Sequence, residues 1–356
     1  MQRVNILLIG FGHVGRALIE LLHEQRGRFA GQGFELRILG VATAHGSVYD
    51  SHGLELPRLA ALAREAQPIS DYPWLSTQLR NAPIGELIAR NEADIVVELT
   101  PTNLEHAEPG LSHVSQALRL GCHVVTANKG PLALCGGELE QLRARTGTEL
   151  GIEGSVLGGT PLLHLARGAL RGQRVLRVRG ILNGTCNYIL SQMETGLSFA
   201  DALADAQAKG YAEADPGADV DGLDTLAKTA ILAQQFFGRA LNLHAVPCTG
   251  IRALTAEDVR FGLLQNAHWK LVADLREADG ELIAHIGPQL LPAGDPLAQV
   301  SGVQNAVAFE TDCLDNFTVK GPGAGPRATA SAVLADVLRI SDLVRAQAPA
   351  LSRKRA

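Results

Sequence analysis

The segment V-N-I-L-L-I-G-F-G-H-V-G, residues 4–15, contains the strongest indication of fold in this sequence. Val4 to Ile9 predicts a short buried strand, and the amphipathic run R-A-L-I-E-L-L that follows predicts a helix. Between them, Gly10, Gly12 and Gly15 have the spacing G-x-G-x-x-G. In such a unit the first glycine permits a tight turn, the second lets the backbone approach a pyrophosphate, and the third allows close helix–strand packing. The segment therefore predicts a dinucleotide-binding Rossmann domain, with a bare structural turn as the alternative.

The second predicted strand, Leu36–Ala42, bears on which dinucleotide the domain binds. An acidic residue after this strand is typical of NAD sites, where it binds the ribose hydroxyls, and an arginine is typical of NADP sites. Here the strand is followed by Thr43, Ala44 and His45, which are neither. The sequence therefore leaves the choice between NAD and NADP open.

Two further predicted strands end in polar residues. Asp94–Leu99 runs into T-P-T-N, and Gly121–Val125 runs into A-N-K-G, with a helix expected at Ser112–Leu120 between them. Ligands bind at the carboxyl ends of the strands in an open α/β sheet. Lys129 is placed there to meet a phosphate, carboxylate or carbonyl. For Thr102, a hydroxyl cap on the next helix is an equal alternative.

The rest of the chain predicts a second domain and a returning C-terminal helix. Beyond about residue 140 the pattern changes, and Arg174–Leu182 has the period of two that is typical of a sheet strand. The predicted fold class is α/β: a Rossmann domain at 1–140, an α+β substrate domain at 141–320, and a segment at 321–350 that returns to the nucleotide domain. The other expected elements are a loop at Gly46–Pro57, a strand at Gly147–Ile152, and helices at Leu59–Ala66, Ile84–Arg90, Leu162–Leu170, Thr225–Phe237 and Thr329–Leu343.

A second segment contains a dense set of acidic residues. Residues 206–228 read A-Q-A-K-G-Y-A-E-A-D-P-G-A-D-V-D-G-L-D-T-L-A-K. If Leu223 begins a helix, Asp224 and Lys228 lie on one helical face. That helix is apolar enough to be buried, and a partly desolvated lysine among carboxylates can transfer a proton. The alternative is a solvated acidic loop. The acids are Glu213, Asp215, Asp219, Asp221 and Asp224.

Composition excludes several functional classes. The 356 residues are 46% hydrophobic and 19% charged, with a net charge of −5, which is typical of a globular enzyme of two domains. The one basic block is Arg353–Arg355, so nucleic acid is not an expected partner. No apolar run is long enough to span a membrane and no signal peptide is evident. The five cysteines are scattered without a metal-binding spacing, which favours a reducing cytoplasm.

The chain resembles homoserine dehydrogenases. The run A-x-x-x-G-Y-A-E-A-D-P-x-x-D-V-x-G-x-D-x-x-x-K, residues 206–228, has the form of a segment diagnostic of that family. Supporting matches are G-F-G-H-V-G, V-V-T-A-N-K-G-P-L-A, N-G-T-C-N-Y-I-L and G-P-G-A-G. The resemblance implies reversible, NAD(P)-dependent interconversion of L-homoserine and L-aspartate 4-semialdehyde, on the pathway to threonine and methionine. It also implies a homodimer that pairs its second domains through their sheets.

The resemblance also implies residue roles. Lys228 matches the proton-transferring lysine, Lys129 a second active-site lysine, and Asp224 an acid beside them. The residues implied to bind substrate are Glu213, Asp219, Asp224, Asn183, Gly184 and Thr185. Those implied to bind the dinucleotide are Gly10, Phe11, Gly12, His13, Val14, Gly15, Thr100, Lys129 and Gly325. Glu153, Val156, Gly158 and Thr160 correspond to a site for a monovalent cation, usually sodium.

Two other functions compete with this one. A different amino-acid or aldehyde dehydrogenase would keep the fold, and the aldehyde enzyme would need a cysteine nucleophile, for which only Cys186 lies near a motif. A non-catalytic nucleotide sensor is the third hypothesis. The sequence stops soon after the last predicted helix, so we expect neither the regulatory domain of many relatives nor feedback inhibition by threonine through it.

Overall fold

A computed structural model describes residues 2–73 and 78–353, and only the backbone of residues 347–353. Lys354 and Arg355 of the basic block lie outside these ranges. The strands are β1 (Gln2–Ile9), β2 (Phe34–Thr43), β3 (Gly46–Tyr49), β4 (Leu79–Arg80), β5 (Ile95–Glu98), β6 (His123–Thr126), β7 (Leu150–Gly151), β8 (Val175–Ile181), β9 (Ala267–Ala278), β10 (Glu281–Pro292), β11 (Gln304–Thr311) and β12 (Asp315–Pro322). The helices are α1 (His13–Gly31), α2 (Leu56–Arg64), α3 (Ile84–Ala89), α4 (Gly110–Arg119), α5 (Lys129–Thr146), α6 (Leu163–Arg167), α7 (Gly184–Glu194), α8 (Phe199–Ala208), α9 (Gly217–Val220), α10 (Leu223–Leu232), α11 (Ala256–Leu264) and α12 (Pro326–Arg353).

Unit 1 comprises residues 1–155 and 326–356 and contains the predicted Rossmann sheet. Its strand order is β4-β3-β2-β1-β5-β6-β7, and the five strands from β2 to β7 in this order run parallel. β1 therefore has β2 on one side and β5 on the other, which makes the edge beyond Ile9 and Glu98 the switch point where such sheets bind ligands. One hydrophobic core joins β1 and β2 to α1, α2 and α12.

Unit 2 comprises residues 156–325 and has an antiparallel sheet of order β10-β9-β8-β11-β12. The helices α7, α10 and α11 pack against β9. A smaller hydrophobic cluster packs Leu297, Ala298 and Val300 against Ile181, Val272 and Ala306. The predicted α/β class, a parallel Rossmann sheet with a second α+β domain, is confirmed.

The structure corrects several element boundaries. Residues 46–49 were expected in a loop but form β3, a short strand that pairs antiparallel with the end of β2. The helix expected at Thr225–Phe237 is α-helical only to Leu232 and continues as a π-helical turn, Ala233–Phe237. The helix expected at Leu162–Leu170 is reduced to the five residues of α6. The expected domain limit at residue 140 falls inside α5, because β7 still pairs with β6 and extends unit 1 to Ser155.

Across the described ranges of the chain, none of the helices combines the length and the apolar character that crossing a membrane requires.

Candidate active site

The glycine turn after β1 leaves space for an anion. Gly10 has φ of 103°, and a Cβ there would lie 2.5 Å from the carbonyl oxygen of Leu99, so a side chain does not fit. A Cβ on Gly15 would collide with the carbonyl oxygen of Gly10. At Gly12, by contrast, no described atom lies within 4 Å of the Cβ position, and no described side chain caps α1. The N–H groups of the first turn of α1 are thus available to a phosphate.

The side chains around this turn differ in their environment. Phe11 is buried in the core and lies under the guanidinium of Arg16, 4.4 Å from the ring centre. His13 is exposed and begins α1, whereas Val14 is half-buried. Of the residues expected to bind a dinucleotide here, Phe11 therefore offers its backbone rather than its side chain.

The end of β2 forms a tight hairpin with β3. The hydroxyl of Thr43 donates to the carbonyl oxygen of Gly46 at 3.0 Å and accepts from the N–H of His45 at 3.2 Å. Ala44 and His45 at the tip are exposed. The segment that follows β2 thus offers a hydroxyl and an imidazole, with no carboxylate or guanidinium from residues 43–47.

Hydrogen bonds in unit 1 connect the segment of Thr100 and Thr102 to the start of α5 at Asn128 and Lys129. The Nδ2 of Asn128 donates to the Thr100 hydroxyl at 3.2 Å, and the Asn128 Oδ1 caps α5 by accepting from the N–H of Gly130 at 3.1 Å. The N–H of Lys129 donates to the hydroxyl of Thr102 at 3.3 Å. Thr102 therefore does accept a helix N–H, but from α5 and not from α4, the next helix in the chain.

Glu98 joins this network and was missed by the sequence analysis. Its side chain is 0% exposed and accepts hydrogen bonds from Thr100 and Thr126. The signal was present, because Glu98 is the single charged residue within the apolar strand I-V-V-E-L, just before the polar segment singled out above.

In unit 2, Lys228 lies where the sequence predicted a proton-transfer group. It is only 8% exposed, and its Nζ lies 2.7 Å from Oδ2 of Asp224, one helical turn earlier on α10. The same Nζ donates to the carbonyl oxygen of Leu182 at 2.7 Å. The acidic segment is thus not merely solvated surface, since Lys228 is buried and paired.

Asn183 holds two carboxylates beside this lysine. Its Nδ2 donates to Oδ1 of Asp219 at 2.6 Å and to Oδ2 of Asp224 at 3.0 Å. Its Oδ1 accepts from the N–H of Cys186 at 2.8 Å and so caps α7. Burial raises the pKa of the Asp219 carboxyl above its usual value, the hydrogen bond from Asn183 opposes this, and the neighbouring carboxylate of Asp224 adds to it. One side chain therefore serves as a helix cap and as the organiser of an acidic cluster.

Gly184 and Thr185 begin α7 directly after Asn183. A Cβ on Gly184 would lie 2.7 Å from the carbonyl oxygen of Val303, which is tighter than a side chain tolerates. The hydroxyl of Thr185 donates to the carbonyl oxygen of Tyr211 at 2.7 Å. This contact links the start of α7 to the loop that carries Glu213.

Glu213 itself is exposed, and its loop is held through the backbone. Nε2 of Gln207 donates to the carbonyl oxygens of Glu213 at 3.0 Å and Ala214 at 3.4 Å. Among the other acids of the segment, Asp221 forms a two-point ion pair with Arg252. The five predicted acids therefore have different environments: Asp224 pairs with Lys228, and Asp219 is joined to Asp224 through Asn183.

Cys186 does not have the properties of a nucleophile. It is fully buried, its Sγ donates to the carbonyl oxygen of Asp219 at 3.1 Å, and burial raises its thiol pKa well above the ordinary value. This disfavours the chemistry of an aldehyde dehydrogenase.

The residues expected around a cation fall on the loop at 153–160. Glu153 belongs to unit 1, is 3% exposed, and its N–H donates to Oδ2 of Asp336 at 2.8 Å. Val156, Gly158 and Thr160 belong to unit 2, where the hydroxyl of Thr160 donates to the carbonyl oxygen of Pro322 at 2.9 Å. Gly325, expected at the dinucleotide, has φ of 122° and is the last residue of unit 2.

Both units match models of one protein family. Residues 10–153 match "Homoserine dehydrogenase, NAD binding domain", and residues 161–338 match "Homoserine dehydrogenase". The chain belongs to the homoserine dehydrogenase family. It is an NAD(P)-dependent oxidoreductase that acts on a CH–OH group, and the competing dehydrogenase and sensor hypotheses are not favoured.

Individual relatives agree with this assignment. The chain is 43% identical to an NAD(+)-dependent homoserine dehydrogenase of Pseudomonas canavaninivorans, over 96% of this chain and 97% of the relative. It is 37% identical to the homoserine dehydrogenase of Methanocaldococcus jannaschii, over 95% and 98%. Among solved structures, a homoserine dehydrogenase from Thiobacillus denitrificans superposes with a TM-score of 0.83 at 33% identity, over 97% of this chain and 75% of that one. A hyperthermophilic archaeal homoserine dehydrogenase in complex with NADPH has a TM-score of 0.80 at 29% identity, over 96% and 98%.

Proposed function

We propose that Lys228 carries the proton in the interconversion of L-homoserine and L-aspartate 4-semialdehyde by this enzyme. The observation that supports this most is a buried lysine whose Nζ has two oxygen acceptors, the Asp224 carboxylate and the Leu182 carbonyl. In aldehyde reduction the ammonium donates a proton to the carbonyl oxygen as it becomes an alkoxide, and in the reverse direction the amine accepts the hydroxyl proton. The bound dinucleotide supplies or accepts the hydride.

Asp219, Asp224 and Glu213 are the groups that we propose bind the substrate. Homoserine carries an ammonium group, which carboxylates recognise through charge-assisted hydrogen bonds. Asn183 holds Asp219 and Asp224 in fixed positions, and the α7 N-terminus at Gly184 and Thr185 suits an anionic group such as the substrate carboxylate. Removal of Nδ2 in Asn183→Asp should therefore raise the KM for homoserine.

The experiment that tests the activity is reduction of NAD⁺ or NADP⁺ with L-homoserine, followed by nicotinamide absorbance. Wild type and Lys228→Ala are compared, and dinucleotide binding is measured separately. Reduction that depends on homoserine and is lost in the variant supports both proposals. A folded protein that binds dinucleotide but reduces neither cofactor with homoserine would refute the proposed activity.

For the dinucleotide we propose binding by the turn at Gly10–Gly15, with Thr100 and Lys129 at the neighbouring strand ends. The open space at Gly12 and the uncapped start of α1 support a pyrophosphate there. We further propose that NAD is preferred over NADP. The β2–β3 tip carries no arginine or lysine to pair with a 2′-phosphate, and the relative from P. canavaninivorans is described as NAD(+)-dependent.

A monovalent cation is proposed at the loop of Glu153, Val156, Gly158 and Thr160. A buried carboxylate and the carbonyl and hydroxyl oxygens of an irregular loop are hard ligands that suit sodium. Thermal unfolding in sodium and in tetramethylammonium salts at equal ionic strength tests this. A sodium-dependent rise in Tm that disappears in Glu153→Gln supports the site, and equal Tm values in both salts refute it.

A homodimer formed through unit 2 is also proposed. Of the nine large hydrophobic side chains that are exposed in the described part of the chain, seven lie in unit 2. Ile283 on β10 is 44% exposed, and Leu120 in unit 1, at 39%, provides a matched control. Ile283→Glu should shift the mass by light scattering toward the monomer, and Leu120→Glu should not. A dimer that persists in Ile283→Glu contradicts pairing at this part of the sheet.

Finally, we propose that the enzyme works in the cytoplasm. All five cysteines are free thiols, which fits a reducing compartment. Cell fractionation with an antibody to the chain tests this, and recovery outside the cytoplasmic fraction would refute it.

A further inference from the structure

Glu98 is a buried carboxylate at the ligand-binding edge of the unit 1 sheet. It is the last residue of β5, its side chain is 0% exposed, and the three strand residues before it are apolar. Oε1 accepts from the N–H of Thr100 at 3.0 Å and lies very close to the Thr100 hydroxyl. Oε2 accepts from the hydroxyl of Thr126 at 3.1 Å. Burial of a carboxylate costs several kcal/mol, and hydrogen bonds of this kind offset that cost.

The donors extend to both neighbouring strand ends. The Thr126 hydroxyl, at the end of β6, also accepts from the N–H of Asn128 at 3.0 Å. Asn128 in turn donates through Nδ2 to Thr100 and caps the start of α5 at Gly130. A single carboxylate thus connects the segment after β5, the segment after β6 and the first turn of α5.

The same carboxylate reaches the glycine turn. The peptide between Leu99 and Thr100, whose N–H donates to Glu98, is the group against which Gly10 packs. The imidazole of His113 lies nearby, but its Nδ1 is 3.9 Å from Oε1, too far for a hydrogen bond. Neutral N–H and hydroxyl donors therefore surround this side chain, and an apolar replacement would leave those donors without their acceptor.

We propose that Glu98 is a positioning residue for the dinucleotide. It sets the Thr100 hydroxyl and the Asn128–Lys129 turn in the conformation that receives the nicotinamide half of the cofactor. This inference rests on the proposed role of Thr100 and Lys129 in cofactor binding.

The hydrogen-bond chemistry predicts why glutamine cannot replace it. Both donors to Oε1 come from Thr100, so an amide nitrogen there would face the N–H of Thr100. Placed at Oε2 instead, the amide nitrogen could not accept the hydroxyl proton that Thr126 donates to Oε2 of Glu98. Either orientation breaks the network at one strand end.

The test measures dinucleotide binding with homoserine absent. Glu98→Gln is compared with Asp94→Asn. Asp94 precedes the same strand, and its carboxylate accepts the N–H of Asn5 at 2.7 Å. It lies at the opposite end of β5 from Glu98 and the ligand-binding edge. The Kd for NADH, from its fluorescence, should rise about ten- to a hundredfold in Glu98→Gln, the expected loss for a charged hydrogen bond. In Asp94→Asn it should stay within about twofold of wild type, whatever its Tm. An unchanged Kd in folded Glu98→Gln overturns the proposal.

A second pair keeps the test decisive if Glu98→Gln does not fold. Thr126→Val removes the donor to Oε2, and Thr126→Ser retains it at a residue that is 0% exposed. Thr126→Val should weaken NADH binding and Thr126→Ser should restore it, whereas equal weakening in both overturns the proposal. Because the Kd for NADH is measured without homoserine, its value does not depend on whether the enzyme oxidises homoserine. If Thr100→Val and Lys129→Ala bind NADH normally, the cofactor assignment fails instead.

Discussion

Nζ of Lys228 lies 2.7 Å from Oδ2 of Asp224, and the two residues are one turn apart on α10. Both side chains are mostly buried, at 10% and 13% exposure. An exposed pair with this spacing is worth only a few tenths of a kcal/mol. Here the two groups are withdrawn from water, and each has a further partner: Asn183 donates to Asp224, and Lys228 donates to the Leu182 carbonyl. The pair is therefore not a surface ion pair, and its burial supports the proposed proton-transfer role.

Replacement of Lys228 by alanine should lower kcat by about 10²–10⁴, the usual contribution of general acid–base catalysis. The matched control is Lys209→Ala at the C-cap of α8, since Lys209 pairs with Asp205 at the same i,i+4 spacing and 2.8 Å but is half exposed. Steady-state kinetics with saturating cofactor measure both variants. A Lys228→Ala enzyme that changes only KM, or a Lys209→Ala enzyme with an equal loss of kcat, contradicts the assignment.

Asp219→Asn should make the protein more stable at pH 7 while it lowers kcat. Burial raises the pKa of Asp219 in the folded state, so the folded chain holds this proton more tightly than the unfolded chain. Protonated Asp219 therefore contributes to the free energy of unfolding. This contribution is fully present at pH values below 3.8, the ordinary pKa of the carboxyl, and is lost as the pH rises through the folded-state pKa. The gain in Tm from Asn should therefore be larger at pH 7 than at pH 4.5. An equal gain at both values, or a loss at pH 7, contradicts the raised pKa.

Gly12→Ala should weaken dinucleotide binding without unfolding unit 1. Its Cβ would meet no described atom of the protein and would occupy the space we assign to the pyrophosphate. Gly27→Ala on the same helix also meets no described atom, lies two turns or more away, and should stabilise the fold by about 1 kcal/mol through helix propensity. Calorimetric titration with NAD⁺ and thermal unfolding separate the two effects. Normal NAD⁺ affinity in Gly12→Ala would exclude this turn as the phosphate site.

Ala44→Arg should shift the cofactor preference toward NADP. Ala44 is exposed at the β2–β3 tip, where a guanidinium could pair bidentately with a 2′-phosphate. We expect wild type to have the higher kcat/KM with NAD⁺ and the variant to gain at least about tenfold in the ratio of NADP⁺ to NAD⁺. Ala44→Gln, of similar length and without charge, is the control. A wild type that prefers NADP⁺ would refute the proposed preference directly.

Local patterns were sufficient for much of the fold. The glycine motif, the apolar strands β1, β2, β5 and β6, and the α10 helix of Asp224 and Lys228 were all predicted, because short-range periodicity and turn chemistry determine them. The missed strand β3 has only four residues and exists because the end of β2 offers it a hydrogen-bonding edge. Its formation depends on a partner strand, which no local pattern contains.

The candidate site was predictable in part for the same reason. Lys228 and Asp224 are neighbours on one helix, so their contact follows from sequence spacing. Asn183 meets Asp219 and Asp224 across about forty residues of chain, and Glu98 meets Thr126 across 28 positions. Neither contact leaves a sequence pattern.

Sequence patterns were enough to predict the Rossmann turn, the fold class, the family resemblance and the identity of the buried lysine, because the motifs behind them consist of residues close together along the chain. The folded chain was needed to show that Asp224 is the acid paired with Lys228, that Asp221 pairs with Arg252, and that Glu98 connects two strand ends. The physical reason is that hydrogen bonds and desolvation depend on distance in space. Two polar side chains far apart in sequence form a hydrogen bond, and a buried carboxyl changes its pKa, only when the chain has folded around them.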